Sequence, residues 1–103
     1  MPRIKLSSAA QADMLRLFEF LAQFDLDAAH RGNEVIYQAL LGLQTQPHAG
    51  APVPERSGVR KLAVDFGASG YLIFHRYRPQ ADTIDVLTIL HQKENYKTRT
   101  VGV

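Results

Sequence analysis

The 103-residue sequence has no cysteine, which excludes a disulfide framework and a thiolate zinc site and is compatible with a reducing compartment. It also lacks any run near the roughly 18 apolar residues that a membrane span needs. Met1 to Ser8 hold no apolar signal-peptide core. A soluble, cytoplasmic chain with no membrane partner is therefore expected. Charge of one sign is scarce too: 12 Lys+Arg against 10 Asp+Glu leave +2, which does not by itself demand a polyanionic partner. Repeats and low-complexity segments are absent. His30, His48, His75 and His91 show no metal-ligand spacing, so no metal and no cofactor are expected. Ser57 and Ser69 belong to no nucleophile-elbow motif, and Asp65-Phe66-Gly67, without a glycine-rich or catalytic loop, reads as a turn.

What is present is 46% hydrophobic residues, enough for one core in a single domain spanning 1–103. A domain this small buries a modest share of its surface, so a partner is expected to cover some of the rest. The basic residues cluster late. From Arg56 to Arg99 eight cations face four carboxylates, Asp65, Asp82, Asp85 and Glu94.

Hydropathy periods divide the chain in two. Ile4 to Leu6 reads as a short extended piece, and Ser8 with Gln11 three residues on has the form of a capping box opening a helix. Ala10, Met14, Leu17, Phe18, Leu21 and Phe24 then recur on one helical stripe. Asp25 to Asp27 breaks it. Asp27 is the expected N-cap of a second helix whose stripe is Gly32, Val35, Ile36, Ala39, Leu40 and Leu43. A connection of about three residues places the two helices antiparallel.

Pro47, Gly50, Pro52, Pro54 and Gly58 exclude helix and central strand from the next stretch. Strand periodicity follows over Val59 to Val64, Tyr71 to Arg78 and Thr83 to His91, with connections short enough for an antiparallel meander. The expected fold is α+β, an N-terminal helical hairpin packed on a small, mainly antiparallel sheet made of the short first strand and the three-stranded meander. Residues 95–103 have little apolar periodicity and are expected as a flexible tail.

A symmetric turn at Pro79 to Asp82 pairs His75 with Val86 and Leu72 with Ile89, and sets Arg76 across from Asp85. Leu72, Phe74, Leu87 and Ile89 then share one face, and Tyr71, Ile73, His75, Tyr77, Ile84, Val86, Thr88 and Leu90 the other. Both faces are apolar, while one hairpin covers only one. Either the rest of the chain covers the second face or it is a groove for a partner segment.

Several local features occur in a telling order: Ala28-Ala29 opening the second helix, Leu40 and Leu43 before Pro47 and Gly50, Val59-Arg60-Lys61-Leu62 and Gly70-Tyr71 opening strands, and Ile89-Leu90-His91 closing the last. Across Ile4 to Tyr96 this arrangement resembles the RelE/ParE superfamily of toxins from type II toxin–antitoxin systems. The resemblance implies a toxin neutralised by a cognate antitoxin, possible as a heterotetramer with it. ParE-like members poison DNA gyrase, and RelE-like members are metal-independent ribonucleases acting with the ribosome on mRNA. Arg60 fits a basic position of the ribonucleases, but Leu62 and Leu72 stand where they carry further charge.

Cleavage through the 2′-hydroxyl needs a base, an acid and preorganised cations at the phosphate. Arg60, Arg76, His91, Lys93 and Tyr96 are the candidates for such a set, with His91 as acid or base and Tyr96 stacking on a nucleobase. Each has an ordinary alternative: a solvated or cross-strand arginine, a strand-end histidine, a packing tyrosine. The expected antitoxin groove is Leu62, Leu72, Phe74, Leu87 and Ile89. A gyrase-directed toxin is the leading expectation. The ribonuclease, and a degenerate toxin that only binds antitoxin, are the alternatives.

Overall fold

A computed structural model describes residues 1–94. Strand β1 (Arg3–Leu6) leads into helices α1 (Ser8–Ala22) and α2 (Leu26–Leu43). A two-residue strand β2 (Ala51–Pro52) then precedes β3 (Val59–Phe66), β4 (Ser69–Arg78) and β5 (Thr83–His91). The α+β hairpin-on-sheet architecture is as expected, with five strands in the order β1-β5-β4-β3-β2. β1 runs parallel to β5, and the other neighbours are antiparallel.

Both helix starts lie slightly earlier than their sequence signals. Ser7 is the N-cap of α1, its Oγ accepting from the Ala10 N–H, while Gln11 reaches back to the Leu6 carbonyl. Asp25, not Asp27, caps α2 by accepting from the Ala28 N–H. A side chain can cap only where the backbone is still extended, and both Ser7 and Asp25 are. β2 occupies the proline-rich crossing segment as an edge strand, the one sheet position that tolerates Pro52.

The helices pack on one sheet face through Ala10, Leu17, Ile36, Leu40 and Leu43 against Tyr71, Ile73, Ile84, Val86 and Ile89. Mid-helix Gly32 permits the close approach of α2, since a Cβ there would meet the Tyr71 hydroxyl at 2.5 Å. The second face carries its own buried cluster, Val59, Leu72, Phe74, Leu87 and Leu90, with Val53 against it.

The expected register holds only near the turn. His75 pairs with Val86 and Arg76 with Asp85, but a shift between Phe74 and His75 pairs Leu72 with Leu90 rather than with Ile89. Leu87 is the extra residue of a β-bulge, and one extra residue reverses the face of everything beyond it. Ile89 therefore belongs to the helix side and Leu90 to the second face. Leu62, opposite Ile73, also packs on the helix side. The five residues expected to form a groove thus divide between two faces. Leu72, Phe74, Leu87 and Ile89 are all buried in the folded chain, so they form no open surface.

Candidate partner-binding cleft

β1 ends where α1 begins, and its last ladder bond runs from the Ser7 N–H to the Val86 carbonyl. Among the described residues, the outer edge of β5 beyond Val86 has no strand beside it. Side chains from α1 serve that edge instead. The Ser7 hydroxyl donates to the Leu87 carbonyl at 2.8 Å, the Asp13 carboxylate accepts from the Ile89 N–H at 2.9 Å, and Arg16 reaches the Ile89 carbonyl at 3.4 Å. Asp13, buried on the apolar stripe of α1, also accepts from the Thr88 hydroxyl at 2.6 Å and from Arg16 at 3.3 Å. A buried carboxylate is tolerable when it is this fully hydrogen-bonded.

Where α1 extends past the β3–β4 turn, a cleft of about 610 Å³ opens. Leu17, Phe20 and Leu21 of α1 form one wall, and Phe66 and Tyr71 form the floor. Phe66 stacks on Tyr71 at 5.8 Å, and burial raises the Tyr71 pKa above its ordinary value. Phe20 is 60% exposed beside Phe24, its edge-on partner at 5.7 Å. A large open aromatic pair at a cleft mouth is the usual make-up of a site that takes apolar groups from a partner.

The polar rim is tightly wired. Ser69 Oγ and His91 Nε2 lie 2.9 Å apart, while the Lys93 N–H donates to His91 Nδ1 at 3.2 Å. An N–H donor at Nδ1 requires a lone pair there, so the neutral ring carries its proton on Nε2 and donates to Ser69. A nucleophilic serine needs the opposite arrangement, with Nε2 accepting and a carboxylate behind Nδ1. Glu94 accepts from the His91 N–H at 2.9 Å and from Arg16 at 3.1 Å, which places Arg16 between two carboxylates. The His91–Ser69 pair is thus not arranged to activate a serine nucleophile.

The described ribonuclease candidates do not all converge. His91 and Lys93 stand at the cleft. Arg60, opposite His75, lies on the helix-side face and donates to the Gly50 carbonyl at 3.0 Å, tying down the crossing loop. Arg76 lies on the other face, five residues along β4 from Tyr71, the partner of His91, or roughly 16 Å away. Tyr96 lies outside the described residues. Among the described residues no cluster of His, Asp or Glu suited to a metal ion occurs. Sequence reasoning missed Asp13, Arg16, Ser69 and Phe66, whereas Phe20 stands out in the sequence, with Leu15, Tyr37 and Leu41, as an off-stripe apolar residue that could serve a dimer or the antitoxin. A carboxylate between Ala10 and Leu17 on an apolar stripe was the one available signal.

His75 has a separate role. Fully buried, it donates from Nε2 to the Ala49 carbonyl at 2.9 Å and leaves Nδ1 without a partner. Burial lowers its pKa, assisted by the charges of Arg60 and His48, and the Ala49 bond opposes the shift.

Residues 4–96 match the family described as the ParE toxin of the type II toxin–antitoxin system parDE. The chain belongs to the ParE toxin family. Two solved structures share the fold. One, described as the chromosomal ParDE toxin–antitoxin system from P. aeruginosa, has a TM-score of 0.74 at 22% identity, covering 88% of this chain and 96% of the other. The intact E. coli RelBE toxin–antitoxin complex has a TM-score of 0.66 at 10% identity, covering 91% of this chain and all of that one. No match among the curated proteins reaches significance. This ParE-family chain is accordingly of the toxin type, with the RelE/ParE fold over nearly its full described length.

Proposed function

We propose that this chain is the growth-inhibiting half of a toxin–antitoxin pair that acts in the cytoplasm by binding DNA gyrase rather than by cutting RNA. The observation that carries the reading is the dispersal of the described ribonuclease candidates over two sheet faces and both strand ends, with apolar Leu62 and Leu72 packed where charge would be required. Cleavage chemistry needs its cations preorganised around one phosphate. A protein-trapping poison needs only a surface. A cognate antitoxin silences the toxin by seating apolar side chains in the cleft beneath Phe20, and the complex is a heterotetramer.

Controlled expression without antitoxin, with plasmid supercoiling and mRNA integrity followed separately, tests the reading. Growth arrest with accumulated gyrase–DNA damage and intact mRNA is expected, unchanged by His91→Ala. Ribosome-dependent mRNA cutting that His91→Ala or Tyr96→Phe abolishes would establish a RelE-like enzyme instead. Unaffected growth would leave only an antitoxin-binding protein.

A further inference from the structure

The β1–β5–β4 end of the second sheet face carries four cations in register. Arg3 and Arg78 flank Thr83, and Lys5 and Arg76 flank Asp85. Strand geometry spaces them roughly 6.6 Å along a strand and about 9.6 Å across the intervening β5. Asp85 is the carboxylate within this array, and it is bound by Arg78 Nε. The other nearby acid, Asp82, accepts from the Tyr77 hydroxyl on the helix side. Arg3 and Lys5 are exposed, and neither they nor Arg76 forms an ion pair with a described residue. The Nε of Arg76 is buried without a partner. Four positive charges against one negative leave a local excess of three, on a chain whose whole sequence carries only +2.

We propose that this corner of the sheet is a contact surface for the phosphate backbone of a nucleic-acid duplex, read without regard to sequence. Guanidinium groups at fixed spacing match phosphates as forked donors, and three of the four cations are arginines. A protein partner is disfavoured because interfaces depend on buried apolar or aromatic anchors. Among the described residues, the large exposed apolar side chains lie on the two helices and their connection and at Met1, and none comes from β3, β4 or β5. A single strand is disfavoured for a related reason, since such sites stack bases on exposed aromatic rings. The proposal does not depend on gyrase being the target.

The test is fluorescence anisotropy of the full chain with 20-base-pair DNA and RNA duplexes of several sequences, titrated from 50 to 200 mM salt. With Arg78 engaged by Asp85, three phosphate contacts predict a slope of log affinity against log salt of about −2.7, a loss of roughly 40-fold over that range. In the double variant Arg3→Gln/Lys5→Gln the slope should shrink by about 2, with the fold retained by circular dichroism, because both side chains are exposed and unpaired. Arg31→Gln, exposed on α2, should bind as the parent does. The DNA and RNA arms identify which duplex is preferred. Absence of duplex binding at 50 mM salt, an unchanged double variant, or tighter binding to a single strand of equal length would each overturn the proposal.

Discussion

Asp13→Ala should be among the most damaging single substitutions in the chain. The carboxylate, 5% exposed, serves three donors at the edge that β1 leaves open. Removing it strands the Ile89 N–H, and a buried unpaired donor costs about 1–3 kcal/mol. The Thr88 hydroxyl loses a charge-assisted bond of about 1.5 kcal/mol or more, although it can rotate in search of another acceptor. Alanine returns a few tenths of a kcal/mol in helix propensity. The expected net loss is about 3 kcal/mol, a large part of the roughly 5–15 kcal/mol that holds a domain of this size. Asp13→Asn keeps one acceptor and should lose about half as much. Urea unfolding checks this: with a slope near 1.5 kcal/mol/M, the alanine midpoint should fall by about 2 M at constant slope. Amide exchange should locate the damage, the Ile89 amide losing protection ahead of Ile73 on β4. An alanine variant within 1 kcal/mol of the parent, or more stable than the asparagine variant, would refute the assignment of Asp13 as the substitute for a missing strand.

The buried His75 makes stability depend on pH. Its folded pKa is lowered, chiefly by burial, so its neutral form is favoured on folding. The contribution is complete above the unfolded value of about 6.5 and is lost as pH falls through it towards the folded value, at up to about 1.4 kcal/mol per pH unit. Urea midpoints between pH 8 and pH 5 should fall for the parent and flatten in His75→Gln. Gly32→Ala should destabilise despite alanine's better helix propensity, because its Cβ would meet the Tyr71 hydroxyl. Tyr71→Phe, which removes that atom, should recover part of the loss in a double-mutant cycle. Phe20→Ser, at a 60% exposed position, should leave the melting temperature within about 2 °C while abolishing co-purification with the antitoxin. Retained co-purification would move the antitoxin off the cleft.

Much of the architecture was legible in the sequence because the signals are local. A helical period gives way to a strand period across the prolines of 47–54, and a connection of three residues leaves two helices little choice but to lie antiparallel. The cap positions were off by one or two residues, since several polar residues stand at each helix start and only the backbone dihedral decides which one caps. The division of residues between sheet faces failed beyond His75 because a single bulge residue, Leu87, inverts parity, and nothing in an unbroken apolar run from Val86 to Leu90 marks where it falls. The expected groove was lost with it.

The sequence alone determined the two helices, four of the five strands, their order, the α+β class and the resemblance to RelE/ParE toxins, all of which depend on period, punctuation and short connections. Only the tertiary structure decided that Asp13 and Arg16 bond the outer edge of β5, that Ser69 accepts from His91, that Arg60 and Arg76 stand apart from His91, and that Arg3, Lys5, Arg76 and Arg78 form one array. Those facts rest on pairings between residues up to 80 positions apart, fixed by strand register and by where α1 crosses the sheet edge. Near the Pro79 to Asp82 turn the register follows from local chain, but beyond the bulge it is a property of the packed whole, which no local pattern carries.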